Sequence, residues 1–221
     1  MGRRLAAFAL LLWAAVAAAQ GPGSGSPNGV FLVAKPDLAD PNFAKTVVLV
    51  TQTEDYSTVG VIINRPTVLK LSEFVSDPGL DTGNYRDRLY LGGPVMRNAL
   101  LAVFQSETAP EAPAFHVLRK LYLTMHPDNI VKLLASGDIR YRLYAGFAGW
   151  APRQLESEFN REGWYVLPAD EEIVFREDTG GVWDELVERA SALKTRAPAP
   201  ANKTGPRKAR GPAEGGAGSP G

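Results

Sequence analysis

The sequence predicts an α+β domain with a mixed sheet, on three observations. Short β-branched runs come in adjacent groups, not in strict β-α-β alternation. Two of them are joined by the polar turn Glu54–Ser57, and only a few segments repeat apolar residues at the helical period.

Val30–Ala34, Thr46–Thr51 and Val59–Ile63 read as strands, the last two forming a hairpin. Pro66 stops the third run and holds Arg65 extended. Leu71, Phe74 and Val75 mark a short helix. Leu89–Leu91 and Leu100–Phe104 are strands on either side of Gly92-Gly93-Pro94, followed by strands at Phe115–Leu118 and Leu121–Thr124. From Pro127 to Ser136, Ile130, Leu133 and Leu134 share a face and Gly137 follows, which predicts a helix. Ile139, Tyr141, Leu143 and Ala145 alternate with Arg140, Arg142 and Tyr144, predicting a strand with one wet face. Gly146–Gly149 reads as a loop into a helix that starts at Pro152, carries Leu155 and Phe159 inward and stops at Gly163. Trp164–Leu167 is a strand. Val182–Leu193 is a closing amphipathic helix with Trp183, Leu186, Val187 and Ala190 inward.

The ends differ from this body. Arg3-Arg4 followed by fifteen uncharged residues, Leu5–Ala19, with Ala17-Ala18-Ala19 at the close, reads as a signal peptide over 1–19. A spanning helix needs about 20 apolar residues, so an anchor is the weaker alternative. Residues 20–29 are a Gly/Ser/Pro linker, and 30–193 are expected to form one domain. Residues 194–221 are a basic Pro/Gly/Ala-rich tail, expected to be disordered. The chain carries 24 basic and 24 acidic residues, but Arg3, Arg4 and the six cations of 191–221 against Glu214 leave the body at −7. With no cysteine, disulfides, thiol catalysis and thiolate metal sites are excluded.

Chemistry-bearing patterns are sparse. His116 and His126 have no metal-ligand spacing, no Gly-x-Ser-x-Gly elbow occurs, and Gly23-Ser24-Gly25 follows no strand. Asp170-Glu171-Glu172 fits an acidic first helical turn better than a catalytic carboxylate group. No catalytic residue, metal or cofactor is therefore expected. The best ligand geometry is the glycine loop before Pro152, where a helix start would offer free N–H groups, Arg153 a cation and Trp150 a flat wall. The alternative there is that the glycines only make the turn while Trp150 plugs the core. Glu156 is placed to accept Arg65, either as a structural pair or as the rim of a pocket. The candidate ligand-binding set is Asn64, Arg65, Gly92, Gly93, Gly149, Trp150, Gln154 and Glu156, though Gly92-Gly93 equally suits a bulge.

Taken together, Phe31–Ala34, Asp40-Pro41-Asn42-Phe43, Gly60–Pro66, Gly92-Gly93-Pro94-Val95 and Gly146–Glu158 resemble the bacterial YqgE/AlgH family, in one order from about Val30 to Ala190. The resemblance implies a mixed, mainly antiparallel sheet curled toward a partly open barrel, with flanking helices. It implies no particular reaction, and one branch of the family carries a transcriptional-regulator label. Gln52 stands where members often have His, and Arg153 where they often have Gly. The export signal and basic tail also depart from plain cytosolic members.

The reading that results is an exported, periplasmic or secreted binding or regulatory module for a small anion or a protein partner. Specific nucleic-acid binding is not expected of an acidic body without a reading helix, nor a membrane span after cleavage. The alternatives are a transcriptional regulator, cytoplasmic like plain members, and an enzyme using Glu156 and Arg65.

Overall fold

The structure is a computed structural model that describes residues 27–75, 81–160 and 163–196. The expected signal peptide, nearly all of the linker and the tail beyond residue 196 lie outside them.

Strands β1 (Val30–Ala34), β2 (Val47–Gln52) and β3 (Thr58–Ile62) open the chain. Helix α1 (Leu71–Phe74) and strand β4 (Tyr90–Leu91) follow, then β5 (Val95–Gln105), β6 (Phe115–Leu118) and β7 (Leu121–Thr124). Helix α2 (Pro127–Ala135) leads to β8 (Tyr141–Trp150), α3 (Gln154–Asn160) and β9 (Trp164–Pro168). Helices α4 (Glu171–Val174) and α5 (Val182–Arg196) close the described chain.

All nine strands join one sheet in the order β6-β7-β5-β8-β3-β2-β1-β9, with β4 beside β8. Only the β4–β8 pairing is parallel, so the sheet is mixed and mainly antiparallel, as expected. It curls far enough that the Gly29 N–H, one residue before β1, donates to the Val117 carbonyl of β6 at 2.8 Å. The edge strands β6 and β9 do not pair, and the barrel stays open.

Both faces of the sheet are covered, which is why β1, β2 and β3 read as continuous apolar runs. Phe31, Val33, Leu49 and Val61 pack with Val174 of α4 and with Val182, Trp183 and Leu186 of α5. Residues of opposite parity, Leu32, Val48, Val50 and Ile62, pack with Phe43 and with Leu155 and Phe159 of α3. A third cluster sets Phe104, Leu143 and Ala145 against Ile130, Leu133 and Leu134 of α2. The Trp183 indole donates to the Ala34 carbonyl at 2.7 Å, fixing α5 to the end of β1.

Strand β8 differs from the expectation in length and in burial. Instead of ending at Ala145, it continues through the supposed glycine loop to Trp150, pairing first with β5 and then with β3. Gly146 has φ +70°, and the β5 register shifts on passing it. This bulge moves the alternation on by one residue: Tyr144 and Phe147 face the α5 side, whereas Ala148 and Trp150 face α3. The strand also has no wet face, because Arg142 and Tyr144 are buried beneath the turn that follows α4. The next helix begins at Gln154 rather than Pro152, with Arg153 at φ +66°.

Candidate functional site

Arg65 and Asn64 are committed to the fold. Asp40 shapes the following turn by accepting the Asn42 N–H at 2.8 Å. The Arg65 guanidinium then donates to the carbonyls of Asn42 at 2.6 Å and Ala44 at 3.1 Å. Burial pushes its pKa down while Asp40 opposes this, and a guanidinium remains charged throughout. Asn64 accepts the Val47 N–H at 2.8 Å and donates to the Lys45 carbonyl at 3.0 Å. Both side chains thus lock the segment between β1 and β2.

Trp150 and Glu156 stand elsewhere. In the β3–β8 register Thr58 lies opposite Trp150, and Arg65 is seven residues further along the chain in the other direction. At about 3.3 Å per residue the Arg65 end and the Trp150 end are roughly 20 Å apart. No ion pair joins Arg65 to Glu156, and the single rim expected from the sequence is two separate places. Gly92 and Gly93 line neither: a Cβ on either would come within 2.2 Å of β8 backbone, so both serve close strand packing. Gly149 is a β8 residue opposite Val59.

The Trp150 end has a carboxylate that sequence reasoning missed. The indole N–H groups of Trp150 and Trp164 both donate to one oxygen of Glu158, at 3.1 and 3.0 Å. Phe43 stacks on Trp150 with ring centroids 5.6 Å apart and meets Trp164 edge-on. Helical spacing carried the signal, since Glu158 shares the inward face of Leu155 and Phe159 while Glu156 does not. Gln154 accepts the Ala151 N–H at 3.1 Å, closing the turn into α3.

Beside this cluster, the end of the β2–β3 hairpin and α3 enclose a cavity of about 630 Å³. Gln52, Tyr56, Arg153 and Glu156 supply its polar lining, and Leu155 and Phe159 its apolar part. Gln52 and Arg153 therefore line one space. Two of its residues, Tyr56 and Arg153, are held at positive φ, which costs a non-glycine residue of order 1–3 kcal/mol.

The opposite end of β8 holds a buried network that the alternation of residues 139–145 does not foreshadow. Arg142, on a strand position expected to be wet, is 2 % exposed. Its Nε donates to Asp87 at 2.7 Å, and its other nitrogens donate to the carbonyls of Val174, the last residue of α4, and of Arg176 just beyond it, at 2.8 and 3.1 Å. The guanidinium lies 4.4 Å from the centre of the Tyr90 ring. The neighbouring Tyr144 hydroxyl is buried without a hydrogen-bond partner, and burial pushes its pKa well above the usual 10.0. Among the described residues no group of His, Asp or Glu is arranged to hold a metal ion, and no helix is long and apolar enough to cross a membrane.

Residues 31–193 match the family model DUF179, described as AlgH-like. The chain belongs to this AlgH-like family. A UPF0301 protein of Thermobifida fusca is 34 % identical over 173 residues, spanning 74 % of this chain and 87 % of the relative. A UPF0301 protein of Myxococcus xanthus is 34 % identical over 155 residues, spanning 69 % and 84 %. The solution structure of the AlgH protein from Pseudomonas aeruginosa superposes with a TM-score of 0.63 at 28 % identity, covering 80 % of this chain and 99 % of that one. A crystal structure of a Corynebacterium diphtheriae protein gives 0.56 at 25 % identity, covering 79 % and 92 %. The fold is thus that of the AlgH-like family, as the motifs implied.

Proposed function

We propose that this chain is an exported, non-enzymatic binding module whose ligand seats in the cavity beside α3. One observation carries the reading: Arg153 and Glu156 line a space of ligand size while making no side-chain hydrogen bond or ion pair among the described residues. The ligand is a small molecule or protein segment with an anionic group for the Arg153 fork and a donor for Glu156. Its apolar part rests on Leu155 and Phe159. The non-enzymatic part is supported by the separation of Glu156 from Arg65, on whose proximity the alternative enzyme reading depended.

The test is native mass spectrometry of the protein purified from envelope extract, beside Arg153→Ala and Glu156→Gln. A bound mass that both variants lose at unchanged melting temperature is the expected result. Variants that retain the mass would remove this cavity as the site. The compartment is tested by fusing residues 1–29 to a reporter active only outside the cytoplasm. Reporter activity with Gln20 as the mature N-terminus is expected, and an uncleaved cytosolic product overturns export.

A further inference from the structure

The loop before β4 is held by the side chains of Tyr85, half-buried, and Asp87, and their combined effect is to present arginines. Tyr85 donates to the Arg88 carbonyl at 2.8 Å and accepts the Leu143 N–H at 3.0 Å. Asp87 is fastened by Arg142, itself locked to carbonyls at the end of α4 and just past it. Arg86 and Arg88, on either side of Asp87, are exposed, and neither guanidinium has a hydrogen bond or ion pair among the described residues. The one acid between them is already paired with the buried Arg142, which leaves Glu177 and Asp178 as the further carboxylates that line the groove.

They border a groove in two connected parts. One, of about 530 Å³, contains Arg86, Arg88 and Arg140 with Tyr141 and Phe175 as flat walls. The other, of about 440 Å³, lies past Arg88 and is lined by Asn64, Glu177, Asp178 and Thr179, with the Asp178 carboxylate accepting the Gly180 N–H at 2.9 Å. Glu177 lines both parts and has no partner among the described residues. Arg140 reaches Glu172 at 3.3 Å and covers the Phe175 ring.

We propose that this groove binds a small hydroxyl-bearing phosphate monoester, such as a sugar phosphate. Two unpaired guanidinium forks match a dianionic phosphoryl group in charge and in bidentate geometry. Glu177 repels a second anionic group but accepts hydrogen bonds from hydroxyls, so it selects what the phosphate is attached to. The volume suits a monosaccharide-sized body. Because Tyr85 and Asp87 hold the loop in place beforehand, ligand binding does not have to order it. The site lies at the opposite end of β3 and β8 from the α3 cavity and does not depend on it.

Calorimetric titration of the full chain at low salt decides the matter, with glucose 6-phosphate, inorganic phosphate and glucose as probes. The wild type is expected to bind the ester more tightly than inorganic phosphate and glucose not at all. Arg86→Ala/Arg88→Ala should weaken ester binding by about tenfold or more at an unchanged melting temperature, since neither side chain holds the fold. Glu177→Gln should weaken the ester relative to inorganic phosphate, which loses a nearby repelling charge and no hydrogen bond. No ester binding overturns the proposal. So does binding that survives the double substitution, or an affinity for inorganic phosphate equal to that for the ester. Arg153→Ala, which alters only the α3 cavity, should leave these titrations unchanged, so the two sites stand or fall separately.

Discussion

Glu158 is the acceptor for two indole N–H groups on side chains that are 3 % and 5 % exposed, so removing it strands two donors at once. Glu158→Ala is expected to cost about 2–3 kcal/mol in urea unfolding, because an unsatisfied buried donor costs about 1–3 kcal/mol. Glu156→Gln, on the exposed side of the same helix, should stay within about 0.5 kcal/mol. Tyr144 leads to the opposite kind of expectation. Its hydroxyl has no partner, so Tyr144→Phe should be neutral or slightly stabilising at pH 7. In the alkaline range the sign follows from linkage. The folded pKa lies above 10.0, so the unfolded chain releases this proton first and stability falls as pH rises past 10.0. Burial raises Tyr85 in the same direction. Urea midpoints between pH 9 and 11 should therefore decline in the wild type and decline less in Tyr144→Phe. Arg65 and Arg142 mark where the sequence stops being informative. Pairing Arg65 with Glu156 requires a distance, and distance along an antiparallel pair depends on a register that alternation does not reveal. What Arg142 meets was hidden for the same reason, since the carbonyls it binds lie more than thirty positions later in the chain.

Strand β8 is the element on which the sheet turns. Its bulge needs Gly146 at φ +70°, with the carbonyls of Val95 and Gly93 at 2.8 and 2.9 Å from where a Cβ would sit. Gly146→Ala should cost about 1–2 kcal/mol from the left-handed backbone alone, with the close carbonyls adding to it. Gly137→Ala, with open space around it, should leave the melting temperature within a degree or two of wild type. The short strands were legible because each is bounded by turn residues and enriched in Val, Ile and Leu. β8 was legible only as far as Ala145. Beyond it, glycines needed for close approach to Gly92 and Gly93 carry the same composition as a loop, and the bulge breaks the period-2 pattern there. Pro152 was misleading in a related way. It suits a first helical position, but the left-handed Arg153 delays α3 by two residues.

At the scale of the molecule, the amphipathic helices and the family motifs made the α+β class and the mixed sheet readable, whereas the order of strands was not. That order puts the first strand beside the last: β1 is bounded by β2 on one side and by β9 on the other, residue for residue from Val30↔Pro168 to Ala34↔Trp164. The tail is expected to contribute nothing to this arrangement. Deleting 197–221 should leave the thermal transition unchanged within error, as its composition lacks the apolar side chains to bury. The adjacency of β1 and β9 also sets a timetable. During synthesis, β1 waits for some 130 further residues before its second edge can be filled, about 7–26 s at ordinary rates of elongation. Over that interval a strongly apolar strand is exposed, and the fold cannot close until nearly the whole domain has been made. A chain that must pass a membrane unfolded benefits from such a delay, whereas one that folds where it is made depends on chaperones to cover β1 until β9 arrives.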